Sequence, residues 1–215
     1  MKIAVIGATG FVGPKILDEL LSRGHEVLGI SRKNIVSDNP NLTYAAQDIL
    51  NTNALAETLK GCDAVISAFN PGRPNPNAYH DYLTGAKAVL EAVKQSGVRR
   101  FITIGGAGSL YVADDVQLVD TPDFPKDFVP EASAARDFLN VLKEETALDW
   151  VFFSPAIEMH PGIKIGRTGK YRLGKDNPVF NDAHRSQLSV EDLAVVIADE
   201  VENAKHHKER FTAAY

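Results

Sequence analysis

The sequence has a single cysteine, Cys62, among its 215 residues, so no disulfide can form within the chain. It also has no apolar run approaching the roughly 18 to 20 residues that a membrane-spanning helix needs. The apolar run Ile3–Ile6 near the amino terminus is much shorter than the core of a signal peptide. We therefore expect a protein of the reducing cytoplasm that has no membrane partner.

Positive charge is not in excess either. The chain carries 23 Lys and Arg against 28 Asp and Glu, which gives a formal net charge of -5. Such a surface repels phosphate backbones and anionic lipids, and this argues against nucleic acid as a partner. The six histidines show no spacing typical of metal ligands, so we expect no metal site. A hydrophobic share of 44% and a charged share of 24% are ordinary for a globular protein.

The first part of the chain shows a regular change of hydrophobic period. Lys2–Ile6 is a short apolar run of the kind buried in parallel sheets. From Val12 the apolar residues recur at helical spacing, Gly24 is placed to end the helix, and His25–Ile30 is a second apolar run. Strand, helix and strand within about thirty residues predict a βαβ unit.

The same alternation continues downstream. Further strands are predicted at Leu42–Ala46, Asp63–Ala68, Val98–Ile104 and Trp150–Phe153. Helices are predicted at Thr52–Lys60, Ala78–Ser96 and Ser133–Thr146, and a last one begins after Ser189, which can cap its first amides. Strands alternating with helices predict an α/β fold with a doubly wound parallel sheet of the Rossmann type. We expect one domain over residues 1–215, with residues 155–187 as a small C-terminal lobe on the substrate side.

Three segments interrupt this alternation: Asn70–Asn77, Gly105–Pro130 and Pro155–Gln187. Loops at the carboxyl ends of parallel strands build binding sites, so we expect these segments to border the substrate. Gly105–Pro130 is too polar and too often broken by proline to predict regular structure. Its alternative interpretation is a tolerated surface insertion.

A glycine-rich turn lies between the first predicted strand and the first predicted helix. The spacing G-A-T-G-F-V-G in this context is the fingerprint of a dinucleotide site. Gly7 permits the tight turn, Gly10 lets the backbone approach a pyrophosphate, and Gly13 lets the helix pack on the sheet. An ordinary strand-to-helix turn is the alternative. The residues assigned to cofactor binding here are Gly7, Thr9, Gly10, Phe11, Val12 and Gly13.

The end of the second predicted strand indicates which nicotinamide cofactor is preferred. A carboxylate at this place typically holds the ribose 2′-hydroxyl of NAD, whereas a basic residue accommodates the 2′-phosphate of NADP. Here Arg32 and Lys33 follow the strand, and no acidic residue occurs before Asp38. We therefore expect NADP(H) to be preferred, with NAD(H) as the alternative cofactor. A solvated basic turn is the other interpretation of this pair.

These motifs together resemble a known family. The glycine turn, Asp48 after the third strand and Ser154-Pro155-Ala156 after the strand at Trp150–Phe153 are similar to the atypical short-chain dehydrogenases. The stretch Pro161–Gly174, which ends R-T-G-K-Y-R-L-G, resembles the NADH-flavin reductase branch, related to biliverdin reductase B and to the NmrA-like redox sensors.

The resemblance implies further cofactor contacts. Asp48 and Ile49 would flank the adenine, and Ser67, Ala68 and Phe69 would line the ribose and nicotinamide. Pro155 and Ala156 would border the nicotinamide ring.

The chain departs from that superfamily where the proton donor should lie. No Tyr-x-x-x-Lys pattern occurs, and the superfamily positions fall near Ala132 and Arg136. The catalytic serine falls near Gly106 or Ala107, and Ser109 is the nearest hydroxyl, which makes it the catalytic candidate. A flavin needs no protein acid to accept hydride, unlike a carbonyl group.

We therefore expect an NAD(P)H-dependent reductase that transfers hydride directly to flavin or a similar small planar acceptor. A non-catalytic NmrA-like sensor and an epimerase/dehydratase-like protein remain alternatives. The protein is expected to be a monomer or homodimer.

Several remaining residues keep two interpretations. One set is a basic run that consists of Lys164, Arg167, Lys170, Arg172 and Lys175. This run could bind a substrate anion or form a solvated hairpin. Tyr111 and Phe124 could stack on the acceptor or anchor their loop. His206-His207 is expected to be exposed to solvent.

Overall fold

A computed structural model describes all residues from Met1 to Tyr215. The strands are β1 (Lys2–Ile6), β2 (Glu26–Ser31), β3 (Leu42–Ala46), β4 (Ala64–Ser67), β5 (Arg100–Ile104), β6 (Tyr111–Ala113), β7 (Val116–Gln117), β8 (Asp149–Ser154), β9 (Arg172–Gly174) and β10 (Glu209–Ala214). The helices are α1 (Gly13–Ser22), α2 (Thr52–Leu59), α3 (Ala78–Ser96), α4 (Val129–Lys143) and α5 (Val190–Asn203). None of these helices is both long enough and apolar enough to cross a membrane.

Eight strands form the central sheet, in the order β3-β2-β1-β4-β5-β8-β10-β9. All neighbours in it are parallel except β9, which pairs antiparallel with β10. Strand order reverses between β1 and β4, and ligands of such sheets bind in the crevice beyond the carboxyl ends of the strands at that point. The predicted α/β Rossmann fold is confirmed.

Both faces of the sheet are covered, as the short apolar runs predict. Ala4 and Ile6 point to a core shared with α2, α3 and α4, whereas Ile3 and Val5 point to a core shared with α1 and α5. Successive residues of a strand face opposite sides, so a strand buried on both sides must be apolar throughout.

The carboxyl-terminal part of the chain corrects two predictions. β10 was not predicted, yet it pairs with β8 on one side and β9 on the other. His206, expected at the surface, is largely buried. Its Nδ1 lies 2.7 Å from Oε2 of Glu200, and its ring stacks on Phe211 at 4.2 Å between centroids. His207 is exposed, as expected.

The segment after β5 corrects a third prediction, because it contains regular structure. β6 and β7 form an antiparallel hairpin, and three short 3-10 turns lie around it. α4 also begins at Val129, before the predicted start at Ser133. Pro130 lies in its first turn, where a helix has no amide partner to lose, so proline starts this helix rather than preventing it.

The segment 155–187 contributes β9 to the edge of the main sheet and is otherwise irregular. It is fixed to α5, where buried Asp192 accepts hydrogen bonds from the amides of Thr168 and Gly169 at 2.8 and 2.7 Å. Ser189 caps α5 as predicted, its hydroxyl accepting from the Asp192 amide at 3.0 Å.

Candidate functional site

The glycine turn joins the end of β1 to the start of α1 and lies against the end of β4. Gly7 has a φ of +81°, and a Cβ there would lie 2.5 Å from the carbonyl oxygen of Ala68. A Cβ on Gly13 would lie 2.1 Å from the carbonyl oxygen of Gly7. These two glycines are therefore required by the packing of the turn itself.

Gly10 lies in a different environment, at the exposed tip of the turn. Only the Gly7 carbonyl oxygen lies within 4 Å of a Cβ built on it, at 3.5 Å. The amides of Phe11 and Val12 donate to no backbone acceptor, and α1 has neither a side-chain cap nor an acidic residue in its first turn. Free amides at the positive end of a helix, with no Cβ in the way, fit a diphosphate group. Thr9 and Phe11 are also exposed here.

Arg32 and Lys33 follow directly after β2, beside the glycine turn. Both side chains are exposed and neither forms an ion pair. The turn is ordered by Ser31, whose hydroxyl donates to the Lys33 carbonyl oxygen at 2.7 Å. Both cations are therefore available to an anionic ligand.

The residues after β3 and β4 form the next part of the crevice. Asp48 is exposed and accepts a hydrogen bond from the Leu50 amide at 3.0 Å. Ile49 and Phe69 pack together over Gly85 of α3, where a Cβ would lie 2.4 Å from the Phe69 ring. Ser67 is buried in β4, and Ala68 is partly buried beside Phe69.

The carboxyl ends of β5 and β8 meet at the far side of the crevice. Pro155 and Ala156 follow β8 and are buried. Ser109 is fully buried, and its hydroxyl lies 3.1 Å from both the Gly106 carbonyl oxygen and the Ser154 hydroxyl. In this arrangement the Ser109 hydroxyl orders the Gly105–Ser109 turn and does not face the open crevice.

No hydroxyl occupies the place where the superfamily has its tyrosine. Ala132 is buried on α4 against Gly108, whose Cβ position lies 2.9 Å from the Ala132 methyl group. Arg136, at the place of the lysine, donates to Asp120 at 2.8 Å and to Asp137 at 3.4 Å. The usual proton-donating pair is absent from the structure as well as from the sequence.

The loop Asn70–Asn77 is tied to the start of α4 by residues that the sequence analysis did not identify. Arg73 forms an ion pair with buried Glu131, and its guanidinium lies 3.6 Å from the ring centroid of Phe128. The other carboxylate oxygen of Glu131 is buried without a partner. Burial, and then the charge of Glu131, raises the pKa of Tyr82 beside this pair. No local pattern could have indicated contacts between segments so far apart.

The basic run of the segment 155–187 is mostly engaged within the chain. Arg167 pairs with buried Glu19 at 2.7 Å, and Lys175 pairs with Glu209 at 2.9 Å. Arg172 donates to the carbonyl oxygens of Phe180 and Tyr215 at 2.7 and 2.6 Å. These contacts favour a structural role for the run over an anion site.

Comparison with known proteins agrees with this fold. Residues 7–204 match the family model described as NAD(P)H-binding. The uncharacterised protein YwnB of Bacillus subtilis is 37% identical over 214 residues, which is 99% of this chain and 97% of that protein.

Two solved structures are similar over the whole chain. A Bacteroides thetaiotaomicron protein, provisionally named an epimerase, superposes with a TM-score of 0.91 and 43% identity and covers 100% of this chain and 96% of its own. A Streptococcus pneumoniae protein, provisionally named an NADH-flavin reductase, has a TM-score of 0.87 and 36% identity, with coverage of 100% and 99%. The chain thus belongs to the NAD(P)H-binding family of atypical, NmrA-like short-chain dehydrogenases with a Rossmann fold.

Proposed function

We propose that this protein is an NADPH-dependent reductase that passes hydride directly to a flavin or a similar planar acceptor. The observation that supports this proposal is Ala132, which stands packed against Gly108 in place of an acidic tyrosine. Reduction of a carbonyl group needs a proton donor at the developing alkoxide, and Ala132 cannot supply one. A flavin ring delocalises the charge that it receives, so orientation can supply most of the rate.

The cofactor would lie along the crevice from β2 to β8 and supply the hydride. The amides after Gly10 would hold the diphosphate, and the two unpaired cations Arg32 and Lys33 would hold the 2′-phosphate of NADP(H). By family resemblance, the adenine would contact Asp48 and Ile49. The nicotinamide end would be enclosed by Ser67, Ala68, Phe69, Pro155 and Ala156.

The name of the Streptococcus pneumoniae relative supports the choice of acceptor. The proposed partner is a small planar molecule, bound by a monomer or homodimer in the cytoplasm. With Ser109 buried, no side-chain hydroxyl of the Gly105–Ser109 turn would touch the acceptor, so Ser109 would act by holding that turn.

Oxidation of NADPH by the purified protein, followed by absorbance, tests the proposal. Turnover is expected with FMN or riboflavin and not with simple ketones, alcohols or nucleotide sugars. Tight NADPH binding without any flavin turnover would instead support the NmrA-like sensor. Turnover of a nucleotide sugar would support the epimerase-like alternative.

A further inference from the structure

Arg210 is a buried arginine on β10, the strand that the sequence analysis did not predict. Only 4% of its side chain is exposed. Its guanidinium donates to the backbone carbonyl oxygen of Ser109 and forms an ion pair with Asp176 at 2.5 Å. The same group lies 5.3 Å from the ring centroid of Tyr111. A buried charge with this many partners indicates a specific structural task.

These contacts join two segments that are distant in the sequence, the one after β5 and the one after β8, at one guanidinium. Ser109 ends the turn after β5, Asp176 belongs to the segment 155–187, and Tyr111 begins the hairpin β6–β7. The Tyr111 amide closes the connection by donating to the Asp176 carbonyl oxygen at 2.8 Å. Gln117 of the hairpin donates to the same Ser109 carbonyl oxygen at 2.9 Å.

An arginine suits this junction because its planar fork can bind two acceptors in fixed directions at once. A lysine in its place could satisfy the Ser109 carbonyl oxygen or the Asp176 carboxylate, but it has no rigid fork to hold both. Losing one bond would loosen the Gly105–Ser109 turn without unfolding the sheet, because Gln117 still donates to it.

We propose that Arg210 is a positioning residue that fixes the Gly105–Ser109 turn, and with it the acceptor side of the crevice, to the segment 155–187. This inference rests on the proposed function, in which Pro155 borders the nicotinamide and Ser109 holds the turn that lies beside it through Ser154. Arg210 acts through Ser109 and Asp176 and touches neither cofactor nor acceptor. Through Arg210, the carboxyl-terminal strand β10 helps to position the acceptor side of the site.

The test compares Arg210→Lys with Arg100→Lys. Arg100 is also a buried arginine in an ion pair, with Glu200 at 2.5 Å, but it lies at the opposite end of the strands, where β5 begins. Two measurements are made on each variant. The first is hydrogen exchange, in the protein without ligands, at the Tyr111 amide and at the Leu118 amide, which donates to the Leu110 carbonyl oxygen at 2.8 Å. The second is steady-state kinetics with NADPH and FMN.

Arg210→Lys is expected to speed exchange at both amides tenfold or more. It should lower kcat with FMN at least tenfold while the KM for NADPH changes less than twofold. Arg100→Lys is expected to lower the melting temperature without either effect. An Arg210→Lys variant that matches Arg100→Lys in both measurements would overturn the inference. If the wild type shows no flavin turnover, the proposed function fails, and the exchange measurement alone still decides the role of Arg210.

Discussion

The carbonyl oxygen of Gly7 lies 2.1 Å from the position that a Cβ on Gly13 would occupy. Gly10, three residues earlier, has the same oxygen 3.5 Å from its Cβ position and no other atom within 4 Å. A Cβ atom cannot lie 2.1 Å from a backbone oxygen unless the backbone moves, whereas 3.5 Å is an ordinary van der Waals contact. Within one motif, Gly13 is therefore required by the fold, whereas Gly10 is left open for a ligand.

This difference predicts separable effects of substitution. Gly10→Val should leave the melting temperature nearly unchanged and abolish binding of NADPH and NADH, because its side chain would occupy the diphosphate space. Gly13→Ala should lower the melting temperature, because backbone must move to admit the methyl group. Thermal unfolding and titration of cofactor fluorescence measure the two effects. Wild-type affinity in Gly10→Val would refute the assignment of the turn.

Removing the cation of Arg32 should reduce the preference for NADPH over NADH. Arg32→Ala is expected to weaken NADPH binding tenfold or more and to leave NADH binding unchanged. NADPH would lose a hydrogen bond between its 2′-phosphate and the arginine, and such a bond between charged groups contributes about 1.5 to 3 kcal/mol. NADH has no 2′-phosphate and so loses nothing. Lys33→Ala is the matched control, with a smaller effect expected from its flexible side chain. Equal affinity of the wild type for both cofactors would contradict the NADP(H) preference.

Tyrosine hydroxyls should be dispensable for flavin reduction. Phe variants of Tyr79, Tyr82 and Tyr111 should retain turnover with NADPH and FMN, since the ring contacts remain. Ser109→Ala should lower turnover about tenfold, or about 1.4 kcal/mol, the scale of one positioning hydrogen bond. A thousandfold loss in any of the Phe variants would reveal a tyrosine acid, and the proposal of direct hydride transfer would then be abandoned.

Glu19 should make stability depend on acidic pH. The hydrogen bond from Arg167 lowers the pKa of this buried carboxyl, burial opposes that shift, and Arg23 adds to the lowering. A carboxyl whose pKa is lower in the folded than in the unfolded protein stabilises the fold at pH values above its pKa in the unfolded protein, which is about 4.3. This stabilisation is lost as the pH falls through the lower folded value.

Glu19→Gln should therefore reduce the free energy of unfolding by about 1 to 3 kcal/mol at neutral pH, the scale of lost charged hydrogen bonds. The gap between variant and wild type should shrink as the pH falls below about 4. Denaturant unfolding at neutral and acidic pH measures this gap. Glu57→Gln is the control, because Glu57 is exposed and its ion pair is with Lys60 alone. A gap that stays constant with pH would contradict the role assigned to the Glu19 charge.

Local hydrophobic period determined most of the fold. The helix Ala78–Ser96 has the predicted bounds because its apolar residues recur at helical spacing and Gly97 ends it. The strand Leu42–Ala46 also has the predicted bounds, although its pattern is weaker. β10 has no such signal: its sequence E-R-F-T-A-A begins with two charged residues and follows a polar stretch. It is a strand because β8 and β9 offer backbone partners on both sides, which a local pattern cannot show.

The same division holds for the site. The sequence by itself determined that the glycine turn follows β1 and that the cations Arg32 and Lys33 follow β2, since each lies within a few residues of a strand end. Only the tertiary structure decided that Ser109 is buried. It alone brought Arg73 to Glu131 across 58 residues and Arg210 to Ser109 across 101. Such contacts form because a charge or a carbonyl group that packing removes from water must find a partner, and which segment supplies that partner is settled only when the loops close over the sheet.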